Sequence, residues 1–289
     1  TFSYSYHGSV DETFAVAGPD GTTVSREGNV GPPVDPSVTT TTVEFNDLEA
    51  VEAAFETGEI ACVLLEPAMT NMGIVLPGDG PHSALRDPAT RHGVLLIIDE
   101  THTFSAGPGG CTREWDLEPD LFSIGKAIGS GIPCGALGMT EDVATRMFAQ
   151  EGADYEDTGG VGGTLAGNAL SMAAVRATLS EVLTDDAWDY TVPLATRFSD
   201  GIKTVVEEFG LPWNVTQLGA RAEYRFEDAP ARNGTQAPDA SDPELERYLH
   251  VHALNRGVLI TPFHNMALMS PATAQQIGRP PSRDSVSQR

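Results

Sequence analysis

The stretch GVLLIIDET, residues 93–101, decides how this chain is read. Five apolar residues in a row, Val94 to Ile98, run straight into Asp99 and Glu100. A run that short, apolar at successive rather than alternate positions, is expected of a strand buried on both faces of a parallel sheet. Upstream, IACVLLEPA (60–68) repeats the pattern and ends in Glu66. Before it, FNDLEAVEAAFETG (45–58) predicts a helix, with Asn46 or Asp47 to cap it and Gly58 to stop it. HSALRDPATRHG (82–93) predicts another, with Pro88 interrupting its pattern. Helices alternating with apolar strands give an α/β layered fold with a mostly parallel sheet. Ligands gather at the carboxyl ends of such strands, where Glu66, Asp99 and Glu100 lie.

Further along, GNALSMAAVRATLSEVL (167–183) predicts a strong helix, and a second follows from about Pro193 to Phe209. GARAEYRFED (219–228) alternates and reads as a strand. PELERYLHVHALNRG (243–257) reads as a helix with proline at its first position and Gly257 past its end; VLITPF (258–263) follows as a strand. The expected division is a large domain over 1–185, a smaller α+β domain over 186–277, and a disordered tail over 278–289, which holds one apolar residue.

Acids outnumber bases 41 to 17 in the 289 residues, a formal charge of -24. Such a surface makes nucleic acid and anionic membrane poor partners and suits a salt-rich cytoplasm. No apolar run approaches a membrane span. Cys62, Cys111 and Cys134 are few, odd in number and far apart, which indicates neither a disulfide framework nor a metal site and fits a reducing, cytoplasmic location.

Only two lysines occur, Lys126 and Lys203. Lys126 sits in LFSIGKAIGSGIPCGALG (121–138), with no other charge in the stretch, between Ile124, Ile128 and Ile132. Apolar surroundings lower a lysine's pKa and free its amine as a nucleophile. The chemistries that want such an amine are Schiff bases with carbonyl substrates and with pyridoxal 5'-phosphate (PLP). PLP also wants a buried carboxylate for its ring nitrogen and a cradle for its phosphate. Asp99 supplies the first, and the glycine-rich TGGVGGT (158–164) has the composition of the second. Each feature alone has a plainer reading: a snorkelling lysine, a turn aspartate, a loop. Their joint occurrence points to PLP.

The motifs YHG (6–8), EPAMTNMG (66–73), LLIIDETHT (95–103), PDLFSIGKAIGSGIPCGALG (119–138) and GGTLAGN (162–168) resemble, in order, those of the class III, fold-type I PLP-dependent aminotransferases. Within them the resemblance is to the branch holding glutamate-1-semialdehyde 2,1-aminomutase, and it runs from about residue 2 to 273. It implies the PLP-dependent transferase fold type I. Lys126 would be the Schiff-base lysine and proton shuttle, and Asp99 the partner of the ring nitrogen. Tyr6 would stack on one ring face with Thr101 near the other, and Asn71 would sit by the phenolic oxygen. Thr164 would reach the phosphate of a neighbouring subunit, implying a homodimer with shared sites. His7 and Glu66 would orient neighbours or cap strand ends. His102 and His264 lie near the motifs and could touch substrate, though both are read first as satisfied, non-catalytic histidines; Arg221, Arg225 and Arg256 are candidates for holding a substrate carboxylate.

The chain also departs from the family. The resemblance implies a first segment, carrying further strands and a phosphate-gripping loop, ahead of YHG, so a fragment is expected to fold poorly and bind PLP weakly. PFHNM (262–266) replaces the Phe-Glu that the aminomutases tend to have. The expected activity is therefore amino transfer between an amino acid and an oxo acid or aldehyde. The intramolecular aminomutase reaction, an inactive fragment, or another PLP chemistry such as decarboxylation or racemisation stand as alternatives.

Overall fold

A computed structural model describes residues 1–31, 34–78, 81–149, 162–260 and 264–273. Among these, a short antiparallel pair, β1 (Ala15–Ala17) and β2 (Thr23–Ser25), comes first. Helix α1 (Leu48–Glu56), strand β3 (Cys62–Leu65), helix α2 (Pro81–His92) and strand β4 (Leu95–Asp99) follow. Next come α3 (Gly110–Glu114), β5 (Leu121–Gly125), β6 (Gly135–Met139) and α4 (Glu141–Phe148). The remaining elements are α5 (Ala169–Ala177), α6 (Asp185–Phe209), β7 (Asn214–Leu218), β8 (Arg221–Arg225), α7 (Pro243–Leu254) and β9 (Met266–Leu268).

The larger sheet has the order β3-β4-β5-β6, parallel across the first three strands and antiparallel at β6. This is the mostly parallel α/β sheet expected. One face is closed by α1 and α2: Val51 and Phe55 of α1 and Leu85 and Ala89 of α2 pack on Val63, Leu65, Leu96 and Ile98. Burial on both faces is not found. Cys62 is exposed, and Leu64, Leu95 and Ile97 are only half-buried, so β3 and β4 alternate. A cavity of 310 Å³ opens beside β3, with Cys62, Leu64 and Ile97 in its wall. The buried core that α1 and α2 form with the sheet includes none of Cys62, Leu64, Leu95 and Ile97.

The α1 helix begins where its cap predicts, with Asp47 accepting from the Ala50 N–H. The α2 helix carries Pro88 without ending. In the second half, α5 continues into a π-turn over Thr178–Val182. Helix α6 starts at Asp185, eight residues before the expected Pro193, which lies inside it. Its buried Trp188, Leu194 and Ala195 pack on Ala220 of the β7–β8 turn and Met269 just past β9, at the edge of a second sheet, order β7-β8-β9, all antiparallel. The strand expected over 219–228 is found as β8, but all five of its residues are buried rather than alternating. The expected strand over 258–263 is not: residues 258–260 carry none, and 261–263 lie outside the described residues. There His250 Nδ1 of α7 donates to the Ile260 carbonyl at 3.0 Å, holding the chain against the helix, and the third strand is instead β9. The tail over 278–289 also lies outside the described residues.

Two of the contacts that tie distant parts of the chain together lie away from the sheet ends. Asn46 donates to the Arg232 carbonyl at 2.7 Å, and Thr235 bonds Glu44. Gly219 is pressed so closely on the Ser105 and Ala106 carbonyls, at a φ of +53°, that a Cβ there would overlap both.

Candidate active site

Three neighbouring parallel strands deliver three charged residues to one edge of the larger sheet. Glu66 follows the last residue of β3, Asp99 is the last of β4, and Lys126 follows the last of β5. Asp99 is held at two points: His7 Nδ1 donates to Oδ2 at 2.8 Å and the Thr101 N–H donates to Oδ1 at 3.0 Å. Burial alone would raise the Asp99 carboxyl, but these bonds and the His7 charge outweigh it and hold the group at about 2. Asp99 is thus an ionised carboxylate only 7 % exposed. Glu66, buried at 3 % exposure, is pushed up by that burial against the pull of His7, the Thr70 hydroxyl and Arg221. Buried His7 Nε2 and Glu66 Oε1 have no hydrogen-bond partner.

Lys126 departs from its expected setting. Ile124 and Ile128 are buried, but the Lys126 side chain reaches the open edge of a cavity. Its backbone has a φ of +46°, a conformation that costs a non-glycine residue and that clusters at functional sites. Burial still lowers its pKa, against the opposing pull of Asp99 and Glu66. The cavity is 380 Å³, with Thr101, His102, Lys126 and Arg221 at its polar end and Phe104, Trp188 and Met266 among its apolar walls.

His102 is the residue that sequence reasoning passed over. Its Nε2 lies 2.9 Å from Lys126 Nζ, and its Nδ1 lies 3.3 Å from Arg221 Nη1. Burial first, with Lys126 and Arg221 beside it, drives the imidazole down to about 3. His264, held at about 4 chiefly by burial, is close enough to act on His102 electrostatically. The signal for His102 was its place in DETHT, three residues beyond the aspartate, where the turn after β4 carries it back over the strand ends.

The other expected residues are spread wider. Asn71 faces Arg26, whose Nη1 and Nη2 each lie 3.0 Å from the amide oxygen. That guanidinium also stacks on Tyr4, and Tyr6 is near enough to influence it. Thr101 lines the cavity. Thr164 is exposed in the turn closed by Ala166 N–H and the Gly163 carbonyl at 2.8 Å, with no hydrogen bond described to the cluster; residues 158–161 of the glycine-rich stretch lie outside the described residues. Of the three arginines, only Arg221 lines the cavity. Arg225 donates to the Ala237 carbonyl and to Ser241 Oγ, and Arg256 to the His252 carbonyl.

An amine of lowered pKa, an ionised buried carboxylate and an apolar cavity fit an aldehyde on a flat ring whose nitrogen can carry a proton, as PLP is. The orphaned His7 Nε2 and Glu66 Oε1 mark the same corner as one with spare polar capacity.

Comparison with known proteins agrees. The family profile described as Aminotransferase class-III matches residues 1–276. Glutamate-1-semialdehyde 2,1-aminomutase of Chloroflexus aggregans is 34 % identical over 269 residues, 90 % of this chain and 60 % of the relative. The crystal structure of a glutamate-1-semialdehyde-aminomutase from Pseudomonas aeruginosa PAO1 superposes with a TM-score of 0.89 at 48 % identity, covering 94 % of this chain and 61 % of that one. A variant of it in complex with PMP gives 0.86 at 47 %, with the same coverage. The chain therefore spans about three-fifths of the length of these relatives, and its sheet and flanking helices are part of their fold.

Proposed function

Since this chain belongs to the class III aminotransferases, we propose that it is the lysine-bearing part of a PLP-dependent enzyme that transfers an amino group between an amino acid and an oxo acid or aldehyde. The observation that carries this is the convergence of Lys126, ionised Asp99 and His7 at the ends of adjacent parallel strands. Bound there, PLP supplies an electron sink for the carbon that bears the amino group. Lys126 would hold it through Nζ and serve as the base that takes and returns the proton of that carbon. Asp99 would hold a proton on the ring nitrogen, with His7 fixing the carboxylate, while Glu66 would cap the end of β3 beside them, held by Thr70. Tyr6 and Thr101 would flank the ring, Asn71 would face its phenolic oxygen, and Thr164 would reach the phosphate in a partner subunit.

A homodimer with shared sites is part of this proposal. It is supported by the large apolar side chains left open between 137 and 182, among them Leu137, Leu165 and Leu170, the last two more than 60 % exposed. A cytoplasmic location is also proposed, on composition; no described helix is long and apolar enough to cross a membrane. The intramolecular aminomutase reaction is the second reading, favoured by the names of the relatives; activity that needs no added amino acceptor would select it.

The test is an absorbance spectrum of the purified chain with PLP, beside Lys126→Ala. The proposal expects a band near the visible edge that shifts on adding an amino acid and vanishes in the variant. No band, or one that survives in Lys126→Ala, would overturn it for this polypeptide.

A further inference from the structure

His102 stands between two groups that ordinarily only donate. A neutral imidazole offers one N–H and one lone pair. Arg221 Nη1 faces its Nδ1 and Lys126 Nζ faces its Nε2. A guanidinium keeps its protons in proteins and accepts nothing. If Lys126 were an ammonium it too could only donate, and one lone pair would have to serve both. Either Arg221 or Lys126 would then point a donor at an imidazole N–H in a half-buried site. A doubly protonated ring is worse, since it would oppose both. One assignment satisfies every group. Nδ1 accepts from Arg221, Nε2 carries the proton, and Nε2–H donates to the lone pair of an uncharged Nζ.

We infer that His102, fixed by Arg221 as its Nε2–H tautomer, holds Lys126 as the free amine. This rests on the reading of Lys126 as the carbonyl-bonding lysine and adds how that amine is kept ready at neutral pH. His102 is a positioning residue. Arg221 is itself firmly placed, being 2 % exposed, with its Nη2 donating to the Thr70 carbonyl at 2.9 Å and Glu223 lying 3.8 Å away. The groups facing Nζ are otherwise Asp99 from β4 and Glu66 beyond β3, which favour the ammonium, and Arg221 from β8, which opposes it. His264 and Asp99 face the imidazole in addition. The depressed imidazole pKa is consistent with a ring that stays neutral throughout the range in which lysine titrates.

The chain carries its own control, because Lys203 is the only other lysine and lies with its side chain 56 % exposed on α6. Trace acetylation with acetic anhydride across pH, without PLP and read by peptide mass spectrometry, gives the titration midpoint of each lysine. The midpoint of Lys126 is expected below that of Lys203. In His102→Leu, which can neither accept nor donate, it should rise, cutting Lys126 labelling at pH 7 by about tenfold. In His102→Gln it should stay low, since the amide oxygen can accept from Arg221 while its NH2 donates to Nζ. Nitrogen-15 NMR of the histidine-labelled parent reads the tautomer directly and requires no variant to fold. A Lys126 midpoint at or above that of Lys203, equal behaviour of the two variants, or an Nδ1–H tautomer at His102 would overturn the inference. None of these measurements uses PLP, so a failure here is separable from a missing absorbance band.

Discussion

The site's residues differ in which way acid moves them. Asp99 sits at about 2 in the fold, below its ordinary 3.8. Its stabilisation is full above pH 4 and drains away as pH falls through 2. His102 is depressed from 6.5 to about 3, so the unfolded chain takes up a proton that the folded one refuses. Its contribution is therefore present above pH 6.5 and lost as pH falls toward 3. Buried Glu223 works in the opposite sense: raised from 4.5 to about 7, it stabilises most below 4.5 and loses that share as pH rises through 7. Comparing melting temperature with pH in the parent and His102→Gln isolates one contribution. The parent should lose more stability than the variant between pH 6.5 and 3. Parallel curves would remove His102 from the account. At this scale the sequence carried Lys126, Asp99 and His7 by chemistry and motif, but not His102. What distinguishes His102 from any satisfied histidine is two contacts made through the fold, one to β8, 119 residues away.

Elements were legible where their signals are local. The ends of β3 and β4 follow from apolar runs broken by an acid, α1 from its capping aspartate and stop glycine, and α7 from its leading proline and Gly257. The start of α6 was not, because Pro193 looks like a first-turn residue while the actual first turn, Asp185 and Asp186 after Thr184, carries no apolar period. Strand β9, three residues long, is too short to announce itself. Two substitutions test how these elements are held. Asn168→Ala removes the side chain that accepts from the Ser171 N–H at the start of α5 and should cost about 1 kcal/mol. Gly219→Ala must displace the Ser105–Ala106 backbone from the β7–β8 turn and should cost more, roughly 3 kcal/mol. Urea denaturation gives both; equal costs would mean that the turn yields easily.

For the whole molecule, the larger sheet has a partner for β3 and for β6 on one side only, among the described residues. Four of the five residues of β6 are exposed, Leu137 at 48 %. An open strand with an apolar side chain invites pairing with another chain. Placing a charge there should discourage it: Leu137→Lys is expected to reduce self-association in sedimentation velocity while leaving the stability within about 0.5 kcal/mol of the parent. If association is unchanged, β6 is not the surface through which copies meet. The layered architecture was readable from the alternation of elements. The half-covered sheet was not, because an apolar strand carries the same residues whether or not a second layer is present to bury it.

The ties between Glu44, Asn46 and the 232–235 loop set a clock on biosynthesis. Glu44 and Thr235 are 191 residues apart in the chain. A ribosome adding 5–20 residues per second needs roughly 10 to 40 seconds to travel from one to the other. During that interval Asn46 can already bond the Leu76 carbonyl and the Gly78 N–H, while the Glu44 carboxylate waits for Thr235 turned to water. The β3–α2–β4 unit can form well before then, so the nascent chain passes through a stage in which the strand ends are in place and the lobe that closes over them has yet to be made.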